Sequence, residues 1–266
     1  MIPSIEQLFS LDGKVAVISD CGGLSSIDIA PVLAAAGARL IIADKDGQKG
    51  EELATAISAQ GGHATAMATD ITSEQEVARL FAAVEAQHGG CDILVNCAGI
   101  TNTAPIADTS LELYEALHAL NQLSTFLLMR EGVRLMVKQG KGGRIVNVTT
   151  MGSLHPVLHG NAAYAATRAS VTALTRAVAL DHAGDGILAN LVLPGAIPGK
   201  TAFHPDMQRK LVDGTAITGP ATNAERLPLG YGSGSDIGAA VLFLVGPSGR
   251  YMTGQSIILD GGFLIS

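Results

Sequence analysis

Residues 14–43 read KVAVISDCGGLSSIDIAPVLAAAGARLIIA, and they set the pattern for the whole chain. Lys14–Ser19 (KVAVIS) and Ala38–Ala43 (ARLIIA) are short, largely apolar runs with a helical stretch, Ile29–Ala36, between them. A strand that is apolar on both sides belongs in a sheet covered on both faces. The alternation continues outward: Asp92–Asn96 (DILVN), Arg144–Thr149 (RIVNVT), Leu188–Leu193 (LANLVL) and Ser256–Leu259 (SIIL) read as further strands. Gly50–Gln60, Glu74–His88, Leu111–Gln139, Tyr164–His182 and Ser235–Val245 read as helices, and Val171, Leu174 and Val178 form an apolar stripe on one of them. This order predicts an α/β fold, a doubly wound parallel sheet with right-handed crossovers and helices on both faces. No repeat, low-complexity tract or linker divides residues 1–266, so a single domain is expected.

The composition is that of a chain with a sizeable core: 47% hydrophobic and only 15% charged residues. Seventeen basic against 24 acidic residues give a net charge of −7, and no basic cluster stands out. Nucleic acid is therefore not an expected partner. No apolar run approaches the ~20 residues of a membrane span, and Met1–Lys14 lacks the basic start and apolar centre of a secretory signal. Cys21, Cys91 and Cys97 are odd in number and lack metal-type spacing. They predict reduced thiols in a cytoplasmic protein and no metal site. Thirty-two glycines, above the average share of ~7%, imply many tight turns or close backbone approaches.

The segment Ala196–Gly230 breaks the rhythm, with Pro198, Pro205, Pro220 and Pro228 and room for one short helix around Asp206–Val212. Following a strand end, it reads either as a substrate lid or as a surface loop. Its cations Lys200, Arg209, Lys210 and Arg226 suit either an acidic small-molecule substrate or simple solvation.

Several stretches together resemble the short-chain dehydrogenase/reductase family. They are Asn96-Cys97-Ala98-Gly99 after a strand, Asn121 with Phe126 in a helix, Tyr164 opening a helix, Pro194-Gly195 after a strand, and Tyr251-Met252-Thr253-Gly254-Gln255 leading into Asp260-Gly261-Gly262. The resemblance runs almost end to end and implies a Rossmann-type sheet, a nicotinamide cofactor, and hydride transfer at an alcohol or carbonyl carbon. It also implies a dimer or tetramer. Carried over by position, Tyr164 is the acid/base, Asn121 supports a water-mediated proton path, and Thr150 takes the place of the serine that positions the substrate oxygen, with Ser153 as its rival. Where the family has lysine, four residues after the tyrosine, this chain has Arg168, which keeps the charge in a different shape. His155 and His159 lie between Thr150 and Tyr164 and read as pocket or surface residues rather than metal ligands.

On the cofactor side, the resemblance assigns Ser19, Gly22 and Gly23 to the phosphate loop, Asp44 to the adenosine ribose, Asp70-Ile71 to the adenine, and Asn96, Ala98, Gly99, Pro194 and Gly195 to the remaining contacts. Asp44 implies NAD rather than NADP. The loop itself departs from the family: its three glycine positions hold Asp20, Leu24 and Ser26. A carboxylate ~5 Å from a phosphate costs roughly 3 kcal/mol at an effective dielectric near 20, about a hundredfold in affinity. Position 199, where the family often has a threonine toward the carboxamide, is glycine, and Thr201 follows two residues later. Pro31 fits the first turn of a helix that starts near Ile29 with Asp28 as N-cap; the rival is an earlier start with a kink. The late start would set the helix dipole back from the phosphate and put Asp28 in its place. Three functions follow: an NAD-linked enzyme interconverting a secondary alcohol and a ketone with an impaired cofactor site, a catalytically silent subunit supporting an intact paralogue in a hetero-oligomer, or a stand-alone binding protein that has repurposed the pocket.

Overall fold

The computed structural model describes residues 3–19, 25–197 and 205–266. Gly22 and Gly23, with Asp20, Cys21 and Leu24 around them, lie outside the described residues, as do Gly199, Lys200 and Thr201. Seven parallel strands form one sheet: β1 (Val15–Ser19), β2 (Arg39–Asp44), β3 (His63–Ala68), β4 (Ile93–Asn96), β5 (Gly143–Val148), β6 (Ile187–Pro194) and β7 (Ser256–Leu259). Their order is β3-β2-β1-β4-β5-β6-β7. The chain reverses direction across the sheet between β1 and β4, which opens a crevice at the strand ends where ligands of such sheets bind.

Alternation along each strand divides the core. Ala16 and Ile18 of β1 and Leu40 and Ile42 of β2 face one layer; Val15, Val17, Ile41 and Ala43 face the other. The first layer is covered by α2 (Ser26–Ala35), α3 (Gly47–Ala59) and α9 (Gly234–Val245), the second by α4 (Glu74–His88), α6 (Ser124–Gln139) and α7 (Ala162–Asp181). Local signals set several ends. Ser73 caps α4 by accepting from Glu76 N–H, and Gly89 closes it in the left-handed conformation, φ +78°. A short α1 (Ile5–Phe9), held by a Ser4–Gln7 capping box, precedes the sheet, and α8 (Pro205–Val212) lies in the irregular segment where a short helix was expected.

Three expectations need correction. The helix after β1 starts at Ser26, not near Ile29, with Ser25 rather than Asp28 as N-cap. Pro31 therefore sits at its sixth position, where it deprives the Ile27 carbonyl of its usual donor. Ile27 is on the exposed side, while Ser26, Ile29, Ala30 and Leu33 are buried. Packing of that face, including the close approach that Gly234 and Gly238 of α9 allow to Asp28 and Val32, outweighs the local proline preference. Asp28 is thus packed against α9 instead of standing at the helix start. Second, Leu111–Gln139 is not one α-helix: α5 (Leu111–His118) passes through a π-helical turn, Ala119–Leu123, into α6. Third, β3 (HATAMA) was not expected as a strand. At the sheet edge it keeps much of its surface in water and lacks the apolar run that marks the others.

Candidate active site

A cavity of about 550 Å³ opens at the C-terminal ends of β1, β4, β5 and β6. It gathers residues from far apart in the chain: Thr150 after β5, Tyr164 and Arg168 on α7, and Pro194-Gly195 at the end of β6. Ser25, Cys97, Thr101, Thr149 and Asn161 add polar edges. The remaining lining is mostly apolar, with Val148, Met151, Val157, Ile197, Ile217 and Ile237 among it.

Tyr164 lies in the first turn of α7 and Arg168 one turn on, so both face the same way. They are 7% and 3% exposed, and the Arg168 guanidinium carbon stands 5.5 Å from the centre of the Tyr164 ring. Arg168 Nε is buried with no hydrogen-bond partner. The guanidinium rests against Gly99, where any Cβ would collide with it. Thr150 begins the turn after β5 and accepts from Gly152 N–H at 3.1 Å. Its rival Ser153 donates to the Thr150 carbonyl at 2.8 Å and does not line the cavity.

Asn121 is fully buried in the π-helical turn, behind the cavity rather than on its lining. Its Oδ1 accepts from Ile100 N–H at 2.8 Å, and its Nδ2 donates to the Ile100 carbonyl and to Thr167 Oγ1. The side chain thereby ties the loop after β4 to α7, at the residues next to Gly99 and Arg168.

The other candidates are spread along the rim. Ser19 ends β1 and accepts from Cys97 N–H at 3.2 Å. Asn96 donates to Asn147 Oδ1 at 2.7 Å, and Asn147 in turn to Thr175 Oγ1, which joins β4, β5 and α7. Ala98 and Ile71 pack in the core. Asp44, 6% exposed at the end of β2, accepts from Asp46 N–H at 2.6 Å. Asp70 accepts from Lys45 Nζ at 2.5 Å and from Thr72 N–H and Oγ1 at 3.0 and 2.6 Å. Burial works against the Asp70 charge, but the bonds from Lys45 and Thr72 prevail and hold its carboxyl below the ordinary carboxylate value. The bond to Asp70 correspondingly raises Lys45 above the ordinary lysine value.

Of the described cations in the irregular segment, Arg209, Lys210 and Arg226, none lines the cavity. Arg226 packs over the Phe263 ring, 4.2 Å from its centre, and donates to the Ser266 carbonyl at 2.9 Å. His155 packs edge-on to Phe263, and His159 Nδ1 pairs with Thr218 Oγ1 at 3.0 Å. Among the described residues there is no group of three or more His, Cys, Asp or Glu side chains placed to hold a metal ion. No described helix is long and apolar enough to cross a membrane. Sequence reading missed Asn161, Thr101 and Thr149 as cavity residues. The available signals were the position of Asn161 three residues before Tyr164 and the adjacency of Thr149 to Thr150.

A family model described as Enoyl-(Acyl carrier protein) reductase matches residues 26–264. The chain is 30% identical over 260 residues to 2,5-dichloro-2,5-cyclohexadiene-1,4-diol dehydrogenase LinX of Sphingobium indicum, covering 96% of this chain and 98% of that one. It is 32% identical over 260 residues to a sorbitol dehydrogenase of Cereibacter sphaeroides, covering 95% and 98%. Its fold matches the crystal structure of a gluconate 5-dehydrogenase from Burkholderia cenocepacia in complex with NADP and tartrate, with a TM-score of 0.87, 30% identity, and coverage of 99% and 100%. With the sheet order, the placement of Tyr164 and these matches in agreement, the chain belongs to the short-chain dehydrogenase/reductase family of oxidoreductases.

Proposed function

We propose that the chain is an NAD-linked dehydrogenase that interconverts a neutral secondary alcohol and its ketone, with nucleotide affinity weakened by its own phosphate loop. The observation that carries this reading is the convergence of Tyr164, Arg168 and Thr150 on one largely apolar cavity. The names of the relatives, a diol and a sugar-alcohol dehydrogenase, support an alcohol substrate. Among the described residues, the cations of the irregular segment, Arg209, Lys210 and Arg226, are off the lining, which favours a neutral compound over an acidic one.

The cavity suits the nicotinamide end of a dinucleotide. Ser25, Cys97, Pro194 and Gly195 would line that end, and the buried, unpartnered Arg168 Nε and Thr149 Oγ1 offer polar atoms to a ribose or carboxamide. When bound, nicotinamide would supply the two-electron acceptor or donor. The chain's own residues handle the proton and the orientation. Thr150 Oγ1 accepts from a backbone N–H, which leaves its hydrogen free to go to the substrate oxygen. Tyr164, as the phenolate, takes the hydroxyl proton as the alcohol is oxidised, and, as the phenol, returns it in the reverse direction. The positive charge of the Arg168 guanidinium beside the ring complements the negative charge that the phenol oxygen carries before oxidation and is left with after reduction. NAD is preferred over NADP because the buried Asp44 carboxylate repels a 2′-phosphate, and because Lys45 is engaged by Asp70.

The start of α2 at Ser26 supports retention of the helix dipole at the phosphate position, with Asp28 removed from it. What weakens binding in this reading is Asp20 and Leu24. Calorimetric titration with NAD tests it: the Asp20→Gly, Leu24→Gly, Ser26→Gly variant should bind about a hundredfold more tightly than the natural chain. Equal affinities would overturn the weakened-loop reading. A natural chain that shows no binding, beside a variant that binds, would favour the silent-subunit reading.

Burial of Cys91 and Cys97 supports reading the protein as cytoplasmic. Leu111, Tyr114, Leu123 and Phe126 are exposed along α5, the π-helical turn and α6. They supply an apolar surface for a dimer or tetramer, with copies of this chain or with an intact paralogue.

A further inference from the structure

One polar side chain on the cavity lining has no part in that mechanism. Asn161 is the N-cap of α7, one turn before Tyr164. Asparagine is favoured at that position because its side-chain oxygen accepts from the first N–H groups of the helix, yet Asn161 makes no capping bond. Its amide donates to Thr101 Oγ1 at 3.4 Å, and its Oδ1 is buried without a partner. Asn161 is 7% exposed and Thr101 4%, and both line the cavity.

The pair is held there by backbone. Gly160, at φ +69°, approaches the Ala104 main chain so closely that a Cβ would clash, and Ala104 N–H donates to the Gly160 carbonyl at 2.7 Å. This stitch fixes the loop carrying Thr101 beside the first turn of α7. Helical spacing then puts the Asn161 amide on the same face as Tyr164 and close to it. A buried amide oxygen is satisfied by a donor, a role that a hydroxyl can fill and a carboxylate or ketone cannot.

We propose that Asn161, braced by Thr101, is a specificity-determining residue whose Oδ1 accepts a hydrogen bond from a second hydroxyl of the substrate, distinct from the one that reacts at Tyr164. The proposal rests on the dehydrogenase reading and narrows its substrates to diols and polyols. The absence of a capping bond follows from it, since the side chain is turned from its own helix toward the ligand.

The test compares cyclohexanol with the 1,2-, 1,3- and 1,4-cyclohexanediols on the natural chain, Asn161→Leu and Asn161→Asp. It uses two readouts, kcat/KM with NAD and cofactor-independent binding by saturation-transfer NMR. The natural chain should prefer at least one diol over cyclohexanol by about tenfold. Asp keeps an acceptor and should keep the preference; Leu should reduce it to within about twofold. No preference in the natural chain, a preference that survives in Asn161→Leu, or its equal loss in Asn161→Asp would each overturn the proposal. If nothing turns over, a diol preference in binding that Asn161→Leu abolishes supports the role of Asn161 while the dehydrogenase reading falls; no preference in binding overturns it. Thermal melts check each variant, and Asn161→Ala replaces Asn161→Leu if the latter does not fold.

Discussion

The two halves of the sheet's C-terminal rim treat their polar groups in opposite ways. Around Tyr164, the atoms Thr149 Oγ1, Asn161 Oδ1 and Arg168 Nε are buried without partners and belong to residues that line one cavity. Beyond β2 and β3, the carboxylates are occupied by their own neighbours: Asp44 takes Asp46 N–H, and Asp70 takes Lys45 and both donors of Thr72. Even Asp70 N–H is taken, by Glu76 at 2.7 Å. Buried polar groups are normally paired, and on the proposed reading these three await atoms of a ligand. That reading makes the cavity the open, reacting end of the site and the rim beyond β2 and β3 its closed, adenosine end.

The sharpest way to break the contrast is at Tyr164. If the open end performs proton transfer, Tyr164→Phe should lower kcat by about 10²–10⁴-fold while the melting temperature stays within a few degrees. Steady-state rates on the best alcohol found, with a thermal melt alongside, check this. A variant that retains full turnover would remove Tyr164 from the chemistry.

A smaller effect separates the arginine from the lysine it replaces. The Arg168 guanidinium fills the space over Gly99, so Gly99→Ala must push it aside. The guanidinium is a flexible end, but it is buried beside the Tyr164 ring, and the shift takes its charge away from the phenol. Gly99→Ala should therefore cost about tenfold in kcat/KM. Arg168→Lys, lacking the fork, should make Gly99→Ala nearly silent, a coupling of about 1.4 kcal/mol in a double-mutant cycle. Additive losses would mean that the guanidinium and Gly99 do not share that space in solution.

What the sequence made legible follows the range of the forces involved. Strands such as KVAVIS and ARLIIA declared themselves because burial on both faces writes itself into consecutive residues. HATAMA did not, because an edge strand needs less apolar surface. Pro31 pointed to a late helix start by a sound local rule, which lost to packing against Gly234 and Gly238, about two hundred residues away in sequence. The π-helical turn at Asn121 is equally invisible locally, since its residues are ordinary helix formers and Asn121 is held by bonds to Ile100 and Thr167. At the site, Tyr164, Thr150 and Arg168 could be found by motif and do meet. Asn161 could not, because its meaning depends on Thr101 and on an absent cap.

The smallest effect concerns the closed end. In Lys45→Met, Asp70 loses its ion pair but keeps both bonds from Thr72. Lys45 is 77% exposed at its side chain, so solvent screens the pair and its loss should cost only about 0.2–1 kcal/mol near neutral pH. The sign of the pH dependence is fixed by the two shifts. The Asp70 carboxyl is held below its ordinary value, so its contribution is present above that value and fades as pH falls through the folded one. Lys45 is held above its ordinary value, so its contribution is present below that value and fades as pH rises through the folded one. The stability gap between the natural chain and Lys45→Met should be a plateau that closes below about pH 4 and above about pH 10.5, read from urea unfolding across pH. NAD affinity should stay within about twofold, because Thr72 still occupies Asp70. A clearly larger gain in affinity would show that the Lys45 ion pair withholds Asp70 from the nucleotide, and the closed end would then be a latch on the cofactor site rather than a sealed edge of the fold.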